Sequence, residues 1–390
     1  MRKPEFDLLL RLARTAPDED RANAIIRDGV DWQAFLDLAA KHRVRPLVYT
    51  SLLNVCWDRV PGTIQSECQD ACNSITGRNR FVAGELFRIA AAFRAAELPL
   101  VSLKGPALAQ MAYGDFTLRE FGDLDLLVRV GDFPEAAEVL KQLGYKPSLE
   151  INSGLALEFL CHQGECAFNS SFEGPEIDLH WRLAARHTAL SIEADYFWPR
   201  FRPVQIAGEA VLSFVPQDLP IYLASQGGQD QWGDLRRVCD LAEFVRRHED
   251  LDWVELIEAT RSLHGLRVLL LGLQLARELL GAESPPAVTE CIREDTALPR
   301  LAAQAVKKLE GHNPPGAVRQ FVFQIDAKER WQEKLALVVG RLTNRTASDA
   351  KWIILPRPLW GLYTVLRPLR MFGKLFRKGM GQPDNRTRIA

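Results

Sequence analysis

Two neighbouring stretches, Leu98-Pro-Leu-Val-Ser-Leu-Lys-Gly-Pro106 and Arg119-Glu-Phe-Gly-Asp-Leu-Asp-Leu-Leu-Val128, decide how this chain folds. In the first, Leu100 to Leu103 reads as a short apolar strand that breaks at the Lys104-Gly105 turn. Pro106 suits the first helical position, and Ala107 to Tyr113 give two helical turns that stop at Gly114. In the second, Leu124, Leu126, Leu127 and Val128 predict a buried strand. Asp123 and Asp125 are two residues apart on it, so their carboxylates project from one face. Side by side on a core strand, two such acids repel each other and lose hydration. A divalent cation relieves both problems, and Mg²⁺ takes hard carboxylate oxygens together with substrate phosphates.

A third acid comes from Glu176-Ile-Asp-Leu-His-Trp181. Asp178 and His180 share one face of this predicted strand, while Ile177, Leu179 and Trp181 share the other. In chain order, Lys104-Gly105, Tyr113, Arg119, Asp123-Leu-Asp125 and Asp178-Leu-His180-Trp181 resemble the DNA-polymerase-β-like nucleotidyltransferases. The match is to the branch known as uncharacterised nucleotidyltransferases. Asp31-Trp32 with His42-Arg-Val-Arg-Pro46 upstream, and Gln226-Gly227, Trp232, Leu235-Arg236 and Asp240 downstream, resemble further segments of that branch. Two departures stand out. Gly105 is followed by Pro106 rather than Gly or Ser, which removes a hydroxyl for phosphate, and Gln226 replaces a His.

The resemblance implies an α+β fold: a small mixed sheet with helices on one side, flanked by N-terminal and C-terminal helical regions. It implies transfer of an NMP group from an NTP, ATP first among them, to an acceptor hydroxyl on a small molecule, saccharide, peptide or protein. Asp123, Asp125 and Asp178 would hold two Mg²⁺ ions, with Mn²⁺ as substitute, and Asp178 could act partly as base. Gly105, at a helix N-terminus, would receive phosphate oxygens, and Lys104 and Arg119 would steady the triphosphate. His180 reads either as a ligand for acceptor or phosphate or as a core histidine. Arg236 or Arg237 would reach the triphosphate across the cleft. Two other readings keep part of this picture: a phosphotransferase on the same fold, and a non-catalytic protein that binds membranes or partners.

With 390 residues the chain is long enough for two or three cores, and a formal net charge of −1 predicts no broad nucleic-acid surface. The odd count of 7 cysteines, without framework spacing, predicts reduced thiols and a cytoplasmic location. The charges that break the apolar run of Met1 to Leu12 argue against a secretory signal.

Residues 1–77 predict an N-terminal helical cap and residues 78–215 the catalytic core, entered by a long amphipathic helix from Asn79 to Glu97. Asp132 and Glu135 predict a capping box for the helix that follows the acidic strand. Strands are expected around Leu157–Leu160 and Cys166–Asn169. Residues 216–350 predict a C-terminal helical domain with a strongly apolar helix from Leu266 to Leu280. Residues 351–380 form a basic, aromatic segment without an acid, interrupted at Pro356, Pro358 and Pro368. It reads either as packed back on the fold or, through 351–378, as a peripheral contact with the inner face of a membrane. Residues 381–390 are expected to be disordered.

Overall fold

The computed structural model describes residues 2–148, 164–171, 173–184, 188–311 and 316–343. The strand expected around Leu157–Leu160, the basic aromatic segment and the last ten residues lie outside the described residues.

Four short helices open the chain: α1 (Pro4–Leu12), α2 (Glu19–Asp28), α3 (Trp32–Lys41) and α4 (Arg45–Val55). Asp18 and Asp31 cap α2 and α3 by accepting hydrogen bonds from the Arg21 and Ala34 N–H groups. The long helix α5 runs from Gly62 to Ala95, 34 residues, and so begins well before Asn79. Its first half buries only Ile64, Cys68 and Cys72, a narrow stripe at four-residue spacing laid against α4. That stripe is too thin to announce a helix in the sequence. The expected boundary at 77/78 falls inside this helix, which joins cap and core as one rod.

Among the described residues one mixed sheet of seven strands forms the centre, in the order β3-β4-β5-β2-β1-β7-β6. The strands are β1 (Val101–Ser102), β2 (Asp123–Leu127), β3 (Tyr145–Pro147), β4 (Glu165–Ser170), β5 (Glu176–His180), β6 (Arg202–Ile206) and β7 (Glu209–Ser213). Strand β2 runs antiparallel to β1 and parallel to β5. Helix α6 (Gly105–Tyr113) connects β1 to the segment before β2 and ends at Gly114, whose φ of 74° only glycine adopts freely. The β6–β7 hairpin enlarges the sheet beyond the small one expected. Its turn, Ala207-Gly208, has φ values of 49° and 91°, the primed geometry that suits a two-residue hairpin.

On one face of the sheet Leu124, Leu126, Ile177 and Leu179 pack against Leu86, Ile89 and Phe93 of α5 and against Ala136 and Leu140 of α7 (Phe133–Gln142). The capping box expected at α7 does not form. Asp132 ends a 3-10 turn with φ −87° and ψ −6°, and its side chain makes no capping bond. On the other face, Val101, Leu103 and Leu127 join a helical cluster. That cluster includes residues of α8 (Leu219–Gln229), α9 (Leu235–Arg247), α10 (Trp253–Ser262) and α11 (Leu266–Leu280). Phe6, Leu8 and Leu9 of α1 belong to the same cluster, so N-terminal and C-terminal helices share one core. Among the described residues no helix is long and apolar enough to cross a membrane.

Candidate active site

Because β2 and β5 are parallel neighbours, Asp125 pairs with Asp178, Asp123 with Glu176 and Leu127 with His180. The two-residue period then places Asp123, Asp125 and Asp178 on one face and Leu124, Leu126, Ile177 and Leu179 in the core on the other. Asp125, Asp178 and His180 each offer a ligand atom within 4.8 Å of the other two. Asp123 lies one strand step nearer the open end of β2 and is exposed. It is outside this tightest group.

Asp125 is buried and closely held. Lys104 Nζ donates to its Oδ1 at 2.6 Å, and His180 Nε2 lies 3.3 Å from the same atom. Burial alone would push the Asp125 pKa up, but the Lys104 ammonium and His180 hold it well below the usual carboxylate range. Burial likewise works against the Lys104 charge, and Asp125 outweighs it, raising the lysine above its ordinary value. Tyr222 of α8 is a further neighbour of this pair: burial pushes its phenol above the ordinary value, and the Lys104 ammonium opposes that shift. His180 Nδ1 lies 3.2 Å from Glu165 Oε2, because Glu165 pairs with His180 across the β4–β5 ladder. Nothing in the sequence announced Glu165 or Tyr222 as neighbours of the centre, since both arrive through tertiary pairing.

Asp178 has the opposite electrostatics. Burial first, and then the carboxylates of Asp125, Glu165 and Asp123, outweigh the help of His180 and lift its pKa to about 6. A raised carboxyl favours the folded state in its neutral form. The metal-free protein therefore loses stability through Asp178 as pH climbs from the ordinary 3.8 through about 6. Asp178→Asn removes that loss. In EDTA, the melting temperature of wild type should drop relative to the Asn variant between pH 4 and pH 7, and parallel curves would show that Asp178 is not under this strain.

Beside the acids, the start of α6 offers backbone groups rather than side chains. Lys104 caps α6 without any side-chain hydrogen bond, so N–H groups of the first turn have no capping partner from it. Gly105 stands at φ +58°, and a Cβ there would come to 3.7 Å from the Asp123 carbonyl oxygen. The helix N-terminus and its partial positive charge thus lie beside the acidic strand.

The arginines sort differently. Arg119 is buried, and its Nε and Nη2 donate to Asp240 of α9 at 2.8 and 3.0 Å, with Tyr113 Oη 3.0 Å from the same carboxylate. Its guanidinium is engaged behind the site. Buried Asn79 of α5 donates to the carbonyl oxygens of Phe116, Thr117 and Arg119 and so fastens the approach to β2, a role its sequence gave no hint of. Arg236 lines a cleft of about 550 Å³ whose wall also includes Asp123 and Glu176. Burial, then Arg119, holds its pKa below the ordinary arginine value. Arg237 pairs instead with Asp230.

A mixed sheet with carboxylates on adjacent parallel strands, and a glycine turn feeding a helix beside them, has the parts of a nucleotidyltransferase fold. Consistent with this, the family model described as uncharacterised nucleotidyltransferase matches residues 28–281, and the chain belongs to that family. The match ends at the glycine that closes α11. It therefore takes in all seven described strands and helices α3 to α11. Membership makes the chain a transferase with a nucleotide substrate, and the family description names no acceptor. No match is found among curated proteins or among solved structures.

Proposed function

We propose that this enzyme moves an NMP group from an NTP, with ATP the first substrate to try, to a hydroxyl of its acceptor. The observation that carries the reading is the register of β2 and β5, which brings Asp125 and Asp178 together beside the α6 N-terminus. The donor set fits Mg²⁺ or Mn²⁺: oxygen ligands predominate, and Asp178 is a carboxylate whose charge its acidic neighbours oppose. Asp123, Asp125 and Asp178 would hold two ions, His180 standing at the edge of the set. Bound there, the metal would lower the pKa of the attacking hydroxyl and neutralise charge on the α-phosphate and the departing pyrophosphate.

The remaining steps fall to the protein itself. Gly105 and the following N–H groups of α6 receive triphosphate oxygens, and Lys104, one salt bridge away on Asp125, supplies the nearest ammonium. The acceptor oxygen attacks the α-phosphorus, a new P–O bond forms, and the bond to the β-phosphate oxygen breaks as pyrophosphate leaves. Asp178, on the same strand face as Asp125, takes the acceptor's proton in part. Arg119 acts through Asp240 to hold the segment before β2 and does not touch the nucleotide.

Phosphoryl transfer on the same fold is the nearest rival, and the position of a radiolabel separates the two. When ATP is supplied with Mg²⁺ and a cell extract as acceptor source, label from the α-phosphate should appear on a product while γ-label leaves in pyrophosphate. Movement of γ-label to the acceptor would establish the phosphotransferase. Absence of NTP binding in a calorimeter would return the chain to the class of non-catalytic binding proteins.

A further inference from the structure

The cleft beside Asp123 has a composition that the nucleotide site does not use. Four arginines line it, Arg43, Arg45, Arg78 and Arg236, against the carboxylates of Glu120, Asp123 and Glu176. Glu120 is spent on Arg45, which donates to it from Nε at 3.0 Å and from Nη2 at 2.7 Å. Asp123 and Glu176 are register partners at the open ends of β2 and β5, on the approach to the metal centre.

Three other cations line the cavity, and two of them, Arg43 and Arg78, have no carboxylate partner among the described residues. Arg78 donates only to the Gly122 carbonyl oxygen, at 3.2 Å, and lies over the Phe81 ring. Arg236 donates from Nη1 to the Glu120 carbonyl oxygen at 2.8 Å, its Nη2 lies 3.5 Å from Asp234 Oδ2, and its buried Nε has no partner. Arg43 also stands at φ 54°, a left-handed conformation uncommon for a residue with a side chain, in the tight link between α3 and α4. Three guanidiniums around one cavity repel one another, and an anion of tetrahedral oxygens that accepts paired hydrogen bonds resolves this. A cation at Asp123 would make the cleft more positive still.

We propose that this cleft is the acceptor subsite and that the acceptor carries a phosphate group, bound by Arg43, Arg78 and Arg236. The inference rests on the reading of the acidic centre given above, because it assigns the nucleotide's phosphates to Lys104 and the α6 N-terminus. Arg236 then serves the acceptor rather than the triphosphate. The transferable hydroxyl of the bound phosphomonoester reaches the centre past Asp123.

Ribose 5-phosphate is a suitable probe, being a phosphomonoester with free hydroxyls, and ribose is its uncharged control. Calorimetry on the full chain should show binding of ribose 5-phosphate and none of ribose. An Arg43→Gln/Arg78→Gln double variant should bind the probe at least about tenfold more weakly, with its affinity for ATP and Mg²⁺ kept. The exposed single variant Arg43→Gln, which leaves the Arg78 bond to Gly122 in place, should show a smaller loss in the same direction. Ribose 5-phosphate binding no better than ribose overturns the proposal, as does a loss of ATP affinity in place of probe affinity, since that would make the cleft the triphosphate site. Should wild type bind the probe but no nucleotide, the nucleotidyl-transfer reading fails while the anion cleft stands.

Discussion

Asp125→Asn protein should fold and yet lose roughly three orders of magnitude or more of its metal-dependent NTP turnover. The same substitution should lower stability by about 3 kcal/mol, because it leaves the Lys104 ammonium in a buried pocket without its carboxylate. Asp123→Asn separates the two effects. Asp123 is exposed at the end of β2 and makes no ion pair among the described residues, so turnover should fall while the urea midpoint stays near wild type. A lysine at the back of a metal site would thus have two tasks, to hold Asp125 charged in the resting protein and to face the triphosphate in the working one. Full turnover in Asp125→Asn would remove the reaction centre.

The second large effect lies in the strut behind the site. Arg119 and Asp240 are 5% and 3% exposed at their side chains and joined by two hydrogen bonds, with Tyr113 as a third member. Asp240→Ala leaves a buried guanidinium uncompensated, which should cost about 3–5 kcal/mol in a urea unfolding experiment with unchanged slope. Replacing both partners, as in Arg119→Met with Asp240→Leu, should recover most of that loss, since no unpaired charge remains. A loss below about 1 kcal/mol for Asp240→Ala, the usual worth of an exposed pair, would mean that α9 is not fastened to the core in this way. The strut also gives Arg119, close in sequence to the acidic strand, a partner on α9. Its Nε and Nη2 both donate to Asp240 there.

The acidic centre was largely legible because its parts are local. Period-two spacing puts Asp123 and Asp125 on one face, and the same rule sorts Asp178 and His180 from Ile177 and Leu179, as the burial along β5 shows. Gly105 and Gly114 likewise mark the two ends of α6 by their positive φ. What sequence does not encode locally is which distant groups meet these residues. Asp240 is 121 positions from Arg119, and Glu165 reaches His180 only through the β4–β5 pairing. The first half of α5 was lost for another reason: three small contacts at Ile64, Cys68 and Cys72 suffice when α4 lies alongside. The β6–β7 hairpin does carry a local signal, Ala207-Gly208 between alternating Val204, Ile206 and Val211. The arginine cleft has no sequence signature, for its members come from the α3–α4 link, α4, α5 and α9.

The central claim is that carboxylates from two neighbouring strands share a divalent cation. A crystal grown with Mn²⁺ and a non-hydrolysable ATP analogue, measured for anomalous scattering, tests it most directly. The expected map has its strongest anomalous peak in contact with Asp125 and Asp178. A map with the analogue bound and no manganese at either carboxylate would contradict the account.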